Sequence, residues 1–265
     1  MRKRKFAGVD VPVIGQGTWK LHGKEAVEAL RTGIELGLTH IDTAELYGTE
    51  EMVAETIEGR RDEIFLVSKV LPSNATRKGT VRACEQSLKR LRTDRLDCYL
   101  LHWPGSHPLE DTIAGFEELR AQGKIRSYGV SNFDEEQLAE AVRIAGPGRI
   151  ACDQVLYSLG ERHGEARVLP DCRKVRAVMV GYSPFNELPS KGELQKVAAE
   201  LRATPRQVAL AFLTRLPDTF AIPKASRVDH VRENAGAAAL SLTEDQIARL
   251  DRAYPVRIRP ELPVI

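Results

Sequence analysis

Short apolar runs alternate with longer stretches of helical spacing along the whole chain. Eight of the short runs read as strands, at residues 14–18, 39–43, 64–69, 96–102, 125–131, 150–155, 177–182 and 219–223. Between them the apolar period lengthens. Val27, Leu30 and Ile34 share one helical face, with Gly37 suited to the position just past that helix. Val81, Cys84, Leu88 and Leu91 repeat the pattern, and so do Leu194, Val197 and Leu201. Thr204 before Pro205, and Thr243 three residues ahead of Gln246, are helix starts. Residues 3–14 predict a hairpin: Lys5-Phe6, a turn at Gly8-Val9-Asp10, then Val11-Pro12-Val13-Ile14.

Eight strand–helix units in 265 residues predict a closed (β/α)8 TIM barrel, with the N-terminal hairpin closing its bottom. No linker or composition break divides the chain, so residues 1–265 are expected to form one domain. A hydrophobic fraction of 42% and a charged fraction of 29% describe a soluble protein with a sizeable core. The formal charge of +2 gives no reason to expect a nucleic acid or an anionic membrane as partner. The basic start Met1-Arg2-Lys3-Arg4-Lys5 leads into no apolar segment, and no run approaches the roughly 18 apolar residues of a span. A cytoplasmic protein is expected. Cys84, Cys98, Cys152 and Cys172 are widely spaced and read as reduced packing residues. The chain carries no signal of oligomeric state.

Three successive strands run directly into an ionisable residue: Asp42, Lys69 and His102, with Tyr47 a turn beyond Asp42. If these strands are parallel neighbours, the four groups open onto the rim where α/β folds place their chemistry. Taken singly, each suits a structural role, as a rim salt bridge or a core histidine. Taken together they suit proton transfer. Asp42 would hold the Lys69 ammonium, which would lower the pKa of the Tyr47 phenol, while a ring N–H of His102 would direct a carbonyl oxygen. No serine or cysteine has an evident activating base, and no Cys/His cluster has metal-ligand spacing.

The segment from Gly37 through His40, Asp42 and Tyr47 to Gly48 resembles a signature of the aldo-keto reductases. So do Val67-Ser68-Lys69, Leu101-His102-Trp103-Pro104 and Gly129-Val130-Ser131-Asn132-Phe133, and the likeness runs from about Val11 to about Asp251. The resemblance implies Asp42, Tyr47, Lys69 and His102 as a catalytic tetrad, with hydride passing from a nicotinamide to a small carbonyl substrate. Gly15-Gln16-Gly17-Thr18-Trp19-Lys20 lacks the third glycine of a dinucleotide turn and reads better as the first barrel strand. The resemblance then puts Gly17 and Thr18 near the nicotinamide, with Trp19 and Trp103 as pocket walls. Ser131, Asn132 and Gln154 suit the carboxamide, Tyr182 the face of the ring, and Ser183 the pyrophosphate. Lys224, Ser226 and Arg227 are assigned to the ribose phosphate, Glu233 and Asn234 to the adenine.

His230 stands where many NADPH-preferring members carry an arginine, and imidazole is a weaker anion partner than guanidinium. NADPH is the expected cofactor, with NADH also usable. The loop from Pro104 to about Leu109 is short and little chain follows the last helix near Leu250. These features predict an open pocket around Trp19, Tyr47, Trp103 and His107, suited to aldehydes, 2-oxoaldehydes and some ketones. Two other readings compete: a cofactor-binding regulatory barrel with little turnover, and an aldolase using Lys69 as a Schiff-base amine.

Overall fold

A computed structural model describes residues 1–265. Strands β1 (Lys3–Phe6) and β2 (Val9–Pro12) form an antiparallel hairpin. The remaining strands are β3 (Gln16–Gly17), β4 (His40–Asp42), β5 (Phe65–Val70), β6 (Leu96–Leu101), β7 (Ile125–Ser131), β8 (Ile150–Leu156), β9 (Val178–Tyr182) and β10 (Thr219–Ala221). Each of these eight is parallel to its neighbours, in the order β10-β9-β8-β7-β6-β5-β4-β3. The ring closes where Ile14 meets Ala221 and Gly17 meets Lys224 in parallel bridges, with the Gly15 N–H donating to the Ala221 carbonyl at 2.8 Å. The chain is thus an eight-stranded parallel barrel with helices outside, as the alternation of periods predicts.

The strands read as near-continuous apolar runs because both faces are covered. All six residues of β5 and all six of β6 are buried. One cluster of core side chains fills the space between strands and helices, and another fills the barrel interior. Thr204 and Thr243 each form a reciprocal capping box, with Gln207 and Gln246, at the starts of helices Pro205–Leu213 and Glu244–Ala253.

The hairpin closes the amino-terminal end of the barrel. Phe6 packs its ring against Phe65 and Phe220, with centroids 4.7 and 5.3 Å apart, and meets His40 edge-on. Its turn lies earlier than the sequence suggests. Ala7 (φ 48°) and Gly8 (φ 83°) both adopt left-handed backbone, as a tight hairpin requires, so Val9 and Asp10 belong to β2.

Register sets the function of the other end. Gly17 pairs Asp42, Asp42 pairs Val67, Lys69 pairs Leu100, Leu100 pairs Gly129, Ser131 pairs Gln154, and Gln154 pairs Val180. Side chains alternate between faces with a period of two. Gly17, Asp42, Lys69, His102, Ser131, Gln154 and Tyr182 therefore share the inward parity at the carboxyl ends of their strands.

Candidate active site

Lys69 is fully buried and aims its Nζ at three oxygens: Asp42 Oδ1 at 2.5 Å, the Thr43 carbonyl at 2.9 Å and Tyr47 Oη at 3.5 Å. Burial pulls the ammonium toward neutrality, but the Asp42 charge and the hydrogen bonds outweigh it, so the Lys69 pKa lies above its ordinary value. Asp42 is held from its other side by Gln154 Nε2, which donates to Oδ2 at 2.7 Å.

Tyr47 sits on the short 3-10 turn Glu45–Tyr47, ended by Gly48 in left-handed conformation. Glu45 pins that turn by accepting from the Leu71 N–H at 2.6 Å and from Asn74 Nδ2 at 3.1 Å. The phenol lies 3.3 Å from His102 Nε2, and its ring packs against Trp19 with centroids 4.7 Å apart. One expectation is corrected here. Burial raises the Tyr47 pKa by more than the Lys69 ammonium lowers it, so the phenol stands above its ordinary value. Asp42 cancels much of the lysine's field and itself pushes in the raising direction. His102 is pulled down to about 3, first by burial and then by Lys69, and its ring is neutral at pH 7.

A cavity of about 530 Å³ opens above these groups. Gly17, Thr18, Trp19, Asp42, Tyr47, His102 and Trp103 line one part of it, and Ser131, Asn132, Gln154, Tyr182, Ser183 and Lys224 the other. Lys69 lies behind them, sealed from the cavity by Asp42 and Tyr47. Asn132 (φ 60°) and Ser183 (φ 49°) occupy left-handed backbone just beyond their strands. Asn132 donates to the His102 carbonyl at 3.2 Å and accepts from the Tyr182 hydroxyl at 2.9 Å. The Thr18 hydroxyl is turned away, toward the Asp42 carbonyl at 3.1 Å and Thr49 Oγ1 at 3.0 Å.

Ser226, Arg227, Glu233 and Asn234 are not part of this lining. The first two follow Lys224 along the rim, exposed, and the last two lie on helix Val228–Ala237. Arg227 is engaged by Asp229 through two contacts of 3.0 and 2.6 Å. Asn234 is buried and its Oδ1 has no partner. His107 does not reach the cavity, whereas Lys20, Leu46, Ile222 and Ile265 do. The segment after helix Glu244–Ala253 brings Ile265 to the cavity, where it stays largely exposed, as do Trp19 and Trp103. Lys20 and Leu46 adjoin residues that the sequence singles out. Ile265 carries no such signal.

A family model described as the aldo/keto reductase family matches residues 13–189 and 186–255. The chain is 43% identical to the methylglyoxal reductase YeaE of Escherichia coli strain K12, over 95% of this chain and 94% of that one. It is 32% identical to the glyoxal reductase of Bacillus subtilis strain 168, over 92% of this chain and 89% of the relative. Among solved structures, an aldo-keto reductase from Klebsiella pneumoniae in complex with NADPH superposes with a TM-score of 0.94 at 41% identity, covering 100% of both chains. With the family model spanning most of its length and these relatives covering nine-tenths of it or more, the chain belongs to the aldo/keto reductase family and is an NAD(P)H-dependent oxidoreductase.

Proposed function

We propose that the chain reduces aldehydes, 2-oxoaldehydes foremost, with NADPH as hydride donor and Tyr47 as proton donor. The observation that carries this reading is the Tyr47 hydroxyl, 3.5 Å from Lys69 Nζ and 3.3 Å from His102 Nε2 at the floor of the cavity. A phenol with a raised pKa keeps its proton at pH 7, as a general acid must. An alkoxide developing on the substrate is more basic than phenolate, so the proton moves downhill as negative charge accumulates. Lys69, kept charged by Asp42, stabilises the phenolate left behind. The neutral His102 ring offers an N–H to the carbonyl oxygen without competing for the proton.

The nicotinamide coenzyme supplies the hydride when bound, and this chain's residues suit it. Gln154 spends its Nε2 on Asp42, leaving Oε1 as acceptor for a carboxamide N–H. Asn132 and Ser131 stand beside it, and the half-buried Tyr182 ring provides a flat apolar face, with Gly17 and Thr18 on the opposite side. Ser183 would meet the pyrophosphate. Lys224, Ser226 and Arg227 would meet the ribose phosphate, and Glu233 with the unpartnered Asn234 Oδ1 the adenine amino group. Because Asp229 already engages Arg227 and His230 offers only imidazole, NADH is expected to serve as a second donor. Trp19 and Trp103 would frame a small carbonyl. The names of the methylglyoxal and glyoxal reductase relatives favour 2-oxoaldehydes.

The test is Tyr47→Phe. Loss of a positioned general acid should lower kcat for methylglyoxal by about 10²- to 10⁴-fold while NADPH affinity stays within about threefold. A variant that keeps most of its rate would remove Tyr47 from the proton-donor role.

A further inference from the structure

Tyr47 and Lys69 stand on different segments of the chain, and those segments are tied to each other on both sides of the pair. Ahead of Tyr47, Glu45 accepts from the Leu71 N–H at 2.6 Å and from Asn74 Nδ2 at 3.1 Å. Behind it, Glu50 Oε1 accepts from the Ser68 hydroxyl at 2.7 Å. Leu71 lies two residues beyond Lys69, and Ser68 one residue before it. Two carboxylates that flank Tyr47 therefore grip the chain that carries Lys69, one on each side of the phenol–ammonium contact. Glu50 and Ser68 are both buried, and a buried carboxylate needs a partner for its charge. Arg90 supplies it, with Nε donating to Glu50 Oε2 at 2.6 Å, which leaves Oε1 for Ser68. The partners of Glu45 are a backbone N–H and an amide, so that position calls for a hydrogen-bond acceptor rather than for a charge.

The turn has little of its own to fix its distance from Lys69. It is a short 3-10 turn closed by the Tyr47 N–H on the Ala44 carbonyl at 3.0 Å, and Leu46 beside it is exposed. Thr49 ties its base to Thr43, just beyond β4, through hydroxyls 3.0 Å apart. The side facing β5 is left to the two carboxylates. The contacts they must preserve are long: Tyr47 Oη is 3.5 Å from Lys69 Nζ and 3.3 Å from His102 Nε2. Both lie at the outer limit of hydrogen bonding, so a small swing of the turn breaks them.

We propose that Glu45 and the Glu50–Ser68 pair form a two-armed bracket that sets the Tyr47–Lys69 distance for proton transfer. None of the three lines the cavity, so all are positioning residues. The proposal rests on the reading of Tyr47 as proton donor. Glu45→Ala removes one arm. Ser68→Ala removes the other and leaves Glu50 paired with Arg90. Glu45→Gln keeps an acceptor for the Leu71 N–H.

These three variants and the double variant Glu45→Ala/Ser68→Ala are followed in two ways. One is single-turnover hydride transfer from NADPH to methylglyoxal, whose rate constant does not depend on the fraction of molecules folded. The other is amide hydrogen exchange across residues 44–49, corrected for side-chain effects on the intrinsic rates. Exchange should quicken in each alanine variant and most in the double. The transfer rate should fall by about fivefold in each alanine variant and by about 10- to 100-fold in the double, the upper figure being the cost of a displacement of about 1 Å. Glu45→Gln should stay within about twofold of native, and so should the NADPH dissociation constant of every variant. Faster exchange in a double variant that transfers hydride at the native rate would overturn the positioning role. Unchanged exchange in the double variant would overturn the bracket, and a Glu45→Gln variant as slow as Glu45→Ala would overturn its hydrogen-bond basis. A Tyr47→Phe variant that keeps most of its rate would sink the proton-donor reading instead, and the exchange rates would still decide the bracket.

Discussion

Replacing Lys69 with methionine tests how the buried charge pair is held together. Methionine fills a similar volume, so the change removes charge rather than packing. In the native chain the ammonium is fully buried and satisfies Asp42 Oδ1, the Thr43 carbonyl and Tyr47 Oη. Without it, Asp42 keeps only Gln154 as hydrogen-bond partner and becomes an uncompensated buried carboxylate. Breaking a buried pair from one side costs about 3–5 kcal/mol. For a chain of this size, each kcal/mol lowers Tm by about 2 °C. A fall of about 6–10 °C follows, with the matching loss in urea-unfolding free energy. The double variant Asp42→Asn/Lys69→Met removes the stranded charge and leaves an amide beside Gln154. It should recover about 2 kcal/mol relative to Lys69→Met alone, although neither variant should turn over substrate. Urea unfolding of the four proteins at pH 7 closes the cycle. A Lys69→Met variant within about 1 kcal/mol of native, or a double variant destabilised by the sum of the singles, would refute the coupling.

Three further outcomes follow from individual side chains. Tyr47 is shifted above its ordinary value and His102 down to about 3, so neither changes charge between about pH 5 and 9. Single-turnover hydride transfer should be flat across that range and fall only at alkaline pH, where the phenol loses its proton; a break near pH 7 would contradict this. Lys224, exposed at the cavity edge, should discriminate between coenzymes. Lys224→Ala should raise the NADPH dissociation constant by about fivefold more than that of NADH, and equal losses in fluorescence titrations would remove the phosphate role. Asp153 is wholly buried, neither carboxyl oxygen has a partner, and burial holds its pKa far above the carboxylate range. The folded state therefore keeps a proton that the unfolded chain releases above about pH 4, and this group removes about 1.4 kcal/mol of stability per pH unit until the folded form ionises. Asp153→Asn should be the more stable protein at pH 7 and show the smaller loss in urea unfolding between pH 4 and 7. Identical slopes for the two proteins would show that Asp153 ionises normally.

The barrel was legible because its determinants are local. A two-residue period, a capping threonine such as Thr204 and an apolar helical face such as Val27-Leu30-Ile34 are written within a few positions of each other. The grouping of Asp42, Lys69 and His102 was legible for a related reason: parallel register converts the same place on successive strands into the same place in space. What escaped depends on burial or on distant chain. The sequence displays an ammonium near a phenol. It does not display that Asp42 quenches the ammonium's field, or that the phenol loses enough water for desolvation to win. Ala7 gave no sign of its left-handed backbone, because that conformation is imposed by hairpin closure rather than by its own preference. Glu161-Arg162-His163 is the sharpest case. Read alone, it is a charged turn suited to solvent. Its burial follows from Tyr254 and Arg259, which stand 92 residues beyond Arg162 and 98 beyond Glu161. A local pattern can therefore specify which groups meet at the carboxyl rim. Contacts between segments so far apart in the chain, such as Arg162 with Tyr254 and Glu161 with Arg259, are specified only once the closed fold brings those segments together.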